Sequence, residues 1–162
     1  FVSNPGFGSM VTQGQLLEHA QVFGNYYGTS QAYVEGELRN GHDVILEIDW
    51  QGAQQIRRAM QHTRSIYIVP PSRDALQERL EKRSQDSADV IQGRMEEAVN
   101  EMSHYNEFDY LVVNDDFYKA LDELCSIFVA ERLQISKQSQ RHQSLLVQLL
   151  TRTFLGFPTN AK

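Results

Sequence analysis

The sequence predicts an α/β protein in which a parallel sheet is covered by helices, giving three layers. Three observations point there. Val44-Ile45-Leu46, Ile66-Tyr67-Ile68-Val69 and Tyr110-Leu111-Val112-Val113 are strand-length apolar runs rich in β-branched and aromatic residues. Helical patterns separate them, and strands that alternate with helices build parallel sheets. The Val44-Ile45-Leu46 run is continuous, which suits a strand buried on both faces.

Element by element, Pro5-Gly6-Phe7-Gly8-Ser9 reads as a turn ahead of a helix, and Met10 to Ala20 has helical character. Gly24 to Ser30 packs two tyrosines, two glycines and two hydroxyl residues into a loop that lets backbone and hydroxyls approach a polar ligand. Ser30 caps a helix from Gln31 to Arg39, and Asn40-Gly41 ends it. Asp43 to Asp49 is a strand, Ala53 to Met60 a helix, and Ser65 to Val69 a strand stopped by Pro70-Pro71. Ser72 precedes a helix from Asp74 to Arg83. Asp86 or Ser87 caps another from Ala88 to Tyr105. Tyr110 to Val113 is a strand; Phe117 to Arg132 and Ser136 to Leu150 are helices.

The chain has 162 residues, of which 41% are hydrophobic and 22% charged, the balance of a soluble globular domain. Its net charge of −6 argues against nucleic acid as a partner, because polyanions favour basic surfaces. No apolar run reaches a membrane span of about eighteen residues, so no membrane partner is expected. The one cysteine, Cys125, has no partner for an internal disulfide. It lies in an apolar helical pattern that predicts a buried, inert thiol in a reducing cytoplasm.

Several short patterns carry chemistry. Glu18, in Leu17-Glu18-His19-Ala20, is a carboxylate with two acceptor oxygens. Glu47 and Asp49 stand two apart along an extended run and project to one face at its carboxyl end, where open α/β sheets bind ligands. Arg79 and Arg83 stand four apart on one helical face, and Arg94 follows on the next helix. Each pattern also has an ordinary structural reading. Glu18 is then a solvated glutamate, Thr29 and Ser30 are turn residues or caps, and Tyr26 and Tyr27 are core aromatics. The acids cap helices, and the arginines form a solvated face beside Glu78, Glu81 and Lys82. Asn114 reads equally as a strand-ending turn residue.

Taken in order, these segments resemble guanylate kinase. The motifs are Gly24-Asn25-Tyr26-Tyr27-Gly28-Thr29-Ser30, Ile48-Asp49-Trp50-Gln51-Gly52 and Pro70-Pro71-Ser72. The three arginines, Glu101-Met102-Ser103-His104-Tyr105 and Asp109 to Asp116 complete the match, which covers roughly residues 1 to 150. The resemblance implies the fold of P-loop nucleoside-monophosphate kinases and the transfer of a phosphoryl group from ATP to GMP, with Mg2+ accompanying ATP. dGMP is left open as an acceptor. It assigns Glu18, Tyr27, Thr29, Glu47 and Asp49 to GMP, with Tyr27 on its phosphate and Asp49 reaching Mg2+ through water. Arg79, Arg83 and Arg94 fall to the transferring phosphoryl, and Asn114 to the adenine of ATP. His104 and Tyr105 are assigned to packing. A homo-oligomer is left open.

The resemblance also divides the chain: a partial GMP-binding region over 1–42, a kinase core over 43–150 with a lid over about 79–98, and a tail over 151–162. Ser84 stands where the family has glycine. No Gly-x-x-x-x-Gly-Lys-Ser/Thr motif occurs in the 162 residues. The expectation is therefore that about fifty residues, carrying the central strand and the P-loop, precede Phe1 in the parent enzyme. The chain alone is expected to be inactive as a kinase. A rival reading is a non-catalytic adaptor of the same fold that binds a phosphorylated peptide. The retained arginines and Asn114 oppose it, since an adaptor has no use for ATP-side residues.

Overall fold

A computed structural model describes residues 2–22, 25–83 and 88–151. Two compact units divide at Val113/Asn114. The first begins with helix α1 (Asn4–Thr12), capped by Ser3, whose side chain accepts from the Gly6 N–H at 3.3 Å. The glycines expected to form a turn are thus part of the helix. Gly14 ends it, with φ of +65°, a left-handed state that costs glycine little. This stop is the reason the helix expected over Met10 to Ala20 goes no further than Thr12. Beyond it the chain turns into strand β1 (Leu16–Val22).

The expected ligand loop is also a strand, β2 (Asn25–Ser30), antiparallel to β1. Glu18 pairs with Thr29, His19 with Gly28 and Ala20 with Tyr27, and a register shift lies between Leu16 and Glu18. Tyrosines and threonine favour a pleated surface, and that preference outweighs the two glycines. Gly24 lies outside the described residues. Ser30 then caps α2 (Gln31–Arg39) as expected, accepting from the Tyr33 N–H at 3.4 Å, and Gly41 follows the helix at φ +81°.

Residues 42–49 are not a strand. They run without regular structure, because a strand needs a ladder partner and the described sheets are only β1–β2 and a second pair further on. One face of this segment is buried, not both. Val44, Leu46 and Ile48 pack on the core of Leu17, Val34 and Ile56, while Ile45 is 71% exposed. Helix α3 (Trp50–Ala59) follows, capped by Asp49.

Strand β3 (Ile66–Val69) pairs in parallel with β4 (Tyr110–Val113), with Ile66 opposite Tyr110. Between them run α4 (Arg73–Arg83), α5 (Ala88–Ser103) and a 3-10 turn (Tyr105–Glu107). The Ser72 hydroxyl caps α4, accepting from the Ala75 N–H at 3.0 Å. The caps expected at Asp86 or Ser87, and Ser84, lie outside the described residues. Val112 is almost fully buried, yet Ile68, Leu111 and Val113 are exposed, so this two-stranded sheet is covered less than a continuous apolar run predicts.

The Asp109 carboxylate seals the bottom of β3 and β4. It accepts from the Ser65 N–H at 2.7 Å and from the Ser65 hydroxyl at 2.8 Å. Burial alone would raise its pKa, but these two bonds together with the Arg64 and Arg57 charges outweigh burial and hold the carboxyl below its usual range.

The second unit contains α6 (Phe117–Arg132), α7 (Ile135–Arg141) and α8 (Gln143–Leu150). The single helix expected over Ser136 to Leu150 is broken at His142, whose φ of −107° departs from helical geometry. Asp116 caps α6, accepting from the Lys119 N–H at 2.9 Å. Cys125 is exposed, not buried. Asp122, Glu123 and Ser126 around it are exposed too, while the half-buried stripe of the helix runs through Leu124, Ile127 and Phe128. Among the described residues, no helix is long and apolar enough to cross a membrane. The expected tail beyond Thr151 lies outside the described residues.

Candidate functional site

Three pieces of chain converge around Glu18: the start of β1, the end of β2 and the first turn of α3. Glu18 is only 4% exposed. A carboxylate that deeply buried needs partners, and Thr29, its cross-strand neighbour, supplies one. The Thr29 hydroxyl donates to Glu18 Oε1 at 2.6 Å. The hydroxyl has a single proton, so in this state it is spent on Glu18 and is not free to donate elsewhere.

Asp49 Oδ1 accepts from the Gly52 N–H at 2.7 Å, a helix cap that places the carboxylate at the positive end of α3. Gly52 is wedged between the two acids. A Cβ there would stand 3.1 Å from Glu18 Oε2, 3.2 Å from Asp49 Oδ1 and 3.2 Å from Ile48 Cβ. The missing side chain is what lets the α3 turn approach Glu18. Gly52→Ala is expected to lower stability by about 1–3 kcal/mol, the usual cost of forcing a methyl into packed surroundings. The midpoint of urea unfolding measures it, and a midpoint within error of the wild type contradicts the close approach.

On the other side of β1 the Gln55 amide closes a ring with the main chain of His19. The His19 N–H donates to Gln55 Oε1 at 3.1 Å, and Gln55 Nε2 donates to the His19 carbonyl at 2.9 Å. Gln55 thereby stands in for a strand on the free edge of β1 and fixes the residue next to Glu18. Gly28 makes a second close approach, where a Cβ would meet Leu16 Cδ1 at 2.8 Å and the Glu18 carbonyl at 3.0 Å.

The remaining residues singled out from the sequence are more open. Tyr27 is 57% exposed on β2, and Tyr26 is exposed too, its ring stacked on Phe7 at 5.3 Å, so neither is a core aromatic. Glu47 lies exposed alongside Ile45, while Asp49 is half-buried in its cap. An open groove of about 450 Å³ runs between β2, α2 and the 43–46 segment, lined by Thr29, Tyr33, Glu37 and Asp43 among others. Arg79 is exposed on α4 and Arg94 half-buried on α5, and the two helices pack together. The Arg83 side chain lies outside the described residues. Asn114 opens the second unit.

One acid carries a perturbed pKa that spacing did not reveal. Glu101, on α5, is raised above the ordinary carboxylate range, first by burial and then by the Asp49 charge. Its sequence neighbours gave no sign of this, because the pairing is between residues fifty-two apart. Gly52 and Gln55 were equally unmarked: only the fold shows that one is a contact surface and the other an edge cap.

Comparisons with known proteins show the family. A sequence model of the family described as guanylate kinase matches residues 1–131. A guanylate kinase of Hahella chejuensis is 58% identical over 151 residues, covering 93% of this chain and 73% of that protein. A guanylate kinase of Escherichia coli K12 is 57% identical over 150 residues, covering 93% and 72%. The crystal structure of guanylate kinase from Anaplasma phagocytophilum superposes with a TM-score of 0.76 at 31% identity, over 94% of this chain and 74% of that one. This chain belongs to the guanylate kinase family.

Proposed function

We propose that Glu18 reads the guanine base of GMP, and that the β1–β2 hairpin with the α3 turn forms the acceptor side of an ATP:GMP phosphotransferase. The observation that carries this reading is the burial of Glu18 with the Thr29 hydroxyl as its side-chain partner among the described residues, on one of its two oxygens. An ionised, buried carboxylate has acceptor capacity to spare, and guanine offers two parallel donors that fill it. Adenine offers no such pair and would leave the carboxylate underpaired, which is the most effective way to reject a ligand. Thr29 holds the carboxylate while the site is free. To donate to guanine O6 its hydroxyl must swing away, and the incoming base replaces the bond Glu18 gives up.

Tyr27, exposed on the same strand as Thr29, takes the phosphate of GMP through its phenol in this reading. Glu47 flanks the nucleotide from the 42–49 segment. Arg79, Arg83 and Arg94 neutralise charge on the phosphoryl group as it passes in line from ATP to GMP, and Asn114 contacts the adenine. Phosphoryl transfer asks mainly for positioning and charge stabilisation, and planar guanidinium forks supply both. No covalent phosphoenzyme is required. Closing α4 and α5 over the nucleotides excludes water and prevents idle ATP hydrolysis.

The donors present fit Mg2+ carried with ATP. Asp49 is a hard oxygen ligand with one oxygen occupied by the Gly52 N–H. Among the described residues no group of three or more His, Cys, Asp or Glu gathers to cage a metal. That suits an ion that keeps its waters and leans on phosphate oxygens, with Asp49 holding one of those waters. The metal supplies charge neutralisation on the phosphates. We place the reaction in the cytoplasm.

The test is calorimetric titration of the 162-residue chain with GMP and with AMP. GMP is expected to bind and AMP to bind at least about a hundredfold more weakly, the scale on which a hydrogen-bonding site rejects an analogue that cannot pair. Equal binding of the two nucleotides overturns the assignment of Glu18 to the base.

A further inference from the structure

Helix α3 is held on one side by a cluster that the GMP reading does not use. Trp50, Gln54 and Arg57 stand at i, i+4 and i+7, so they share one face of the helix. All three meet the turn after α5. The Trp50 ring lies flat on His104, with centroids 3.6 Å apart and planes 7° from parallel. Gln54 Nε2 donates to Glu107 Oε2 at 2.8 Å, and Arg57 Nη2 reaches the same oxygen at 3.1 Å. Arg57 also lies 5.2 Å from the centre of the Phe108 ring.

Glu107 binds His104 as well, Oε1 to Nδ1 at 2.6 Å. Its bonds to Gln54 and then His104 hold its carboxyl below the usual range. An ionised carboxylate only accepts, so the proton of this bond sits on Nδ1, and the imidazole orientation is fixed. Glu101, on the last turns of α5, interacts with the Trp50 main-chain N–H. The indole Nε1 is buried with no hydrogen bond of good geometry, but it too interacts with the Glu101 carboxylate, so the ring is held by its stack on His104 and by Glu101. Trp50 is the first residue of α3, directly after Asp49 and two before Gly52. Whatever holds Trp50 therefore holds the turn that abuts Glu18.

We propose that His104 is a positioning residue for the nucleotide-binding turn: oriented by Glu107 and stacked on Trp50, it sets the first turn of α3, and through it Asp49 and Gly52, against Glu18. This extends the GMP reading and rests on it for its effect on binding. The geometric half stands alone. Because α5 also carries Arg94, the same contact ties the arginine-bearing helix to the base-binding turn.

The test uses the 162-residue chain, whose single tryptophan is Trp50. Three readouts are compared in wild type, His104→Ala and His104→Phe: Trp50 emission, hydrogen exchange of the Gly52 amide by NMR, and GMP affinity by calorimetry. His104→Ala is expected to shift Trp50 emission to the red. It should speed Gly52 exchange and weaken GMP binding, each by about three- to tenfold, the scale of one stacked ring pair. His104→Phe keeps a ring on Trp50 and is expected to recover most of both losses.

A lower melting temperature with unchanged Gly52 exchange and unchanged GMP affinity overturns the proposal and leaves His104 a packing residue. If His104→Ala does not fold, Glu107→Gln gives the same readouts: it leaves the imidazole but takes the charge from its partner. If the wild type binds no GMP, the base-site reading fails, and Gly52 exchange alone decides whether His104 positions the turn.

Discussion

Glu18→Gln is expected to weaken GMP binding by about 1.5–3 kcal/mol, the worth of hydrogen bonds to a charged group. That corresponds to a loss of roughly ten- to a hundredfold in affinity. The substitution preserves shape and volume but turns one acceptor into a donor. Whichever way the amide lies, one of its ends meets a donor: the Thr29 hydroxyl, now 2.6 Å from Oε1, or a guanine N–H. Thr29 can escape by turning its proton away, since a hydroxyl also accepts. Guanine N1–H and its amine cannot. The loss should therefore be larger for GMP than for the folded protein itself. Calorimetry with GMP and AMP, alongside urea unfolding, separates the two effects. A GMP affinity within twofold of wild type removes Glu18 from the base site. An equal loss for AMP shows that the substitution has disturbed the pocket and not the recognition.

Glu18 also shows how unevenly the site was legible in the sequence. Only the family resemblance pointed to guanine, since the residue alone reads as a solvated glutamate, and the local structure expected for it was wrong. Leu16, Leu17 and Ala20 look helical in isolation, and the determining residue is Gly14, whose positive φ ends α1 before Glu18 is reached. The hairpin was hidden for a related reason: Gly28 looks like a loop residue, but its role is to let Leu16 and the Glu18 carbonyl come close. Asp43 to Asp49 had the composition of a buried strand. Composition records apolarity, not whether a ladder partner is at hand, and this segment has its apolar face on the core without one. The parallel β3–β4 pair, α2, α4 and α6 were legible because apolar runs of strand length mark the strands and capping residues mark the helix starts. The clamp on α3 was not, because Trp50, His104 and Glu107 are far apart in sequence and each is unremarkable alone.

Replacing Arg94 by lysine is expected to cut turnover by about a hundredfold or more, the usual cost of removing one preorganised donor from a transition state. GMP affinity should change by less than about threefold, because the groups placed on GMP lie on β1, β2, the 42–49 segment and the α3 turn and not on α5. Lysine keeps the charge but loses the planar fork that grips two phosphoryl oxygens at once. The 162 residues contain no P-loop motif, so turnover is measured after fusing the P-loop segment of a guanylate kinase relative ahead of Phe1. Arg79→Lys, on the adjacent helix α4, serves as the companion variant. Lid closure complicates steady-state values, since an arginine that helps α4 and α5 close also alters the apparent KM. Single-turnover phosphoryl transfer and direct GMP calorimetry therefore have to be read together. If Arg94→Lys slows the chemical step and leaves GMP binding intact, the side chain acts on charge that develops only during transfer. If it weakens GMP binding and leaves the chemical step unaltered, Arg94 belongs to the acceptor site, and the division between a hairpin that reads the base and helices that stabilise the transferring group is wrong.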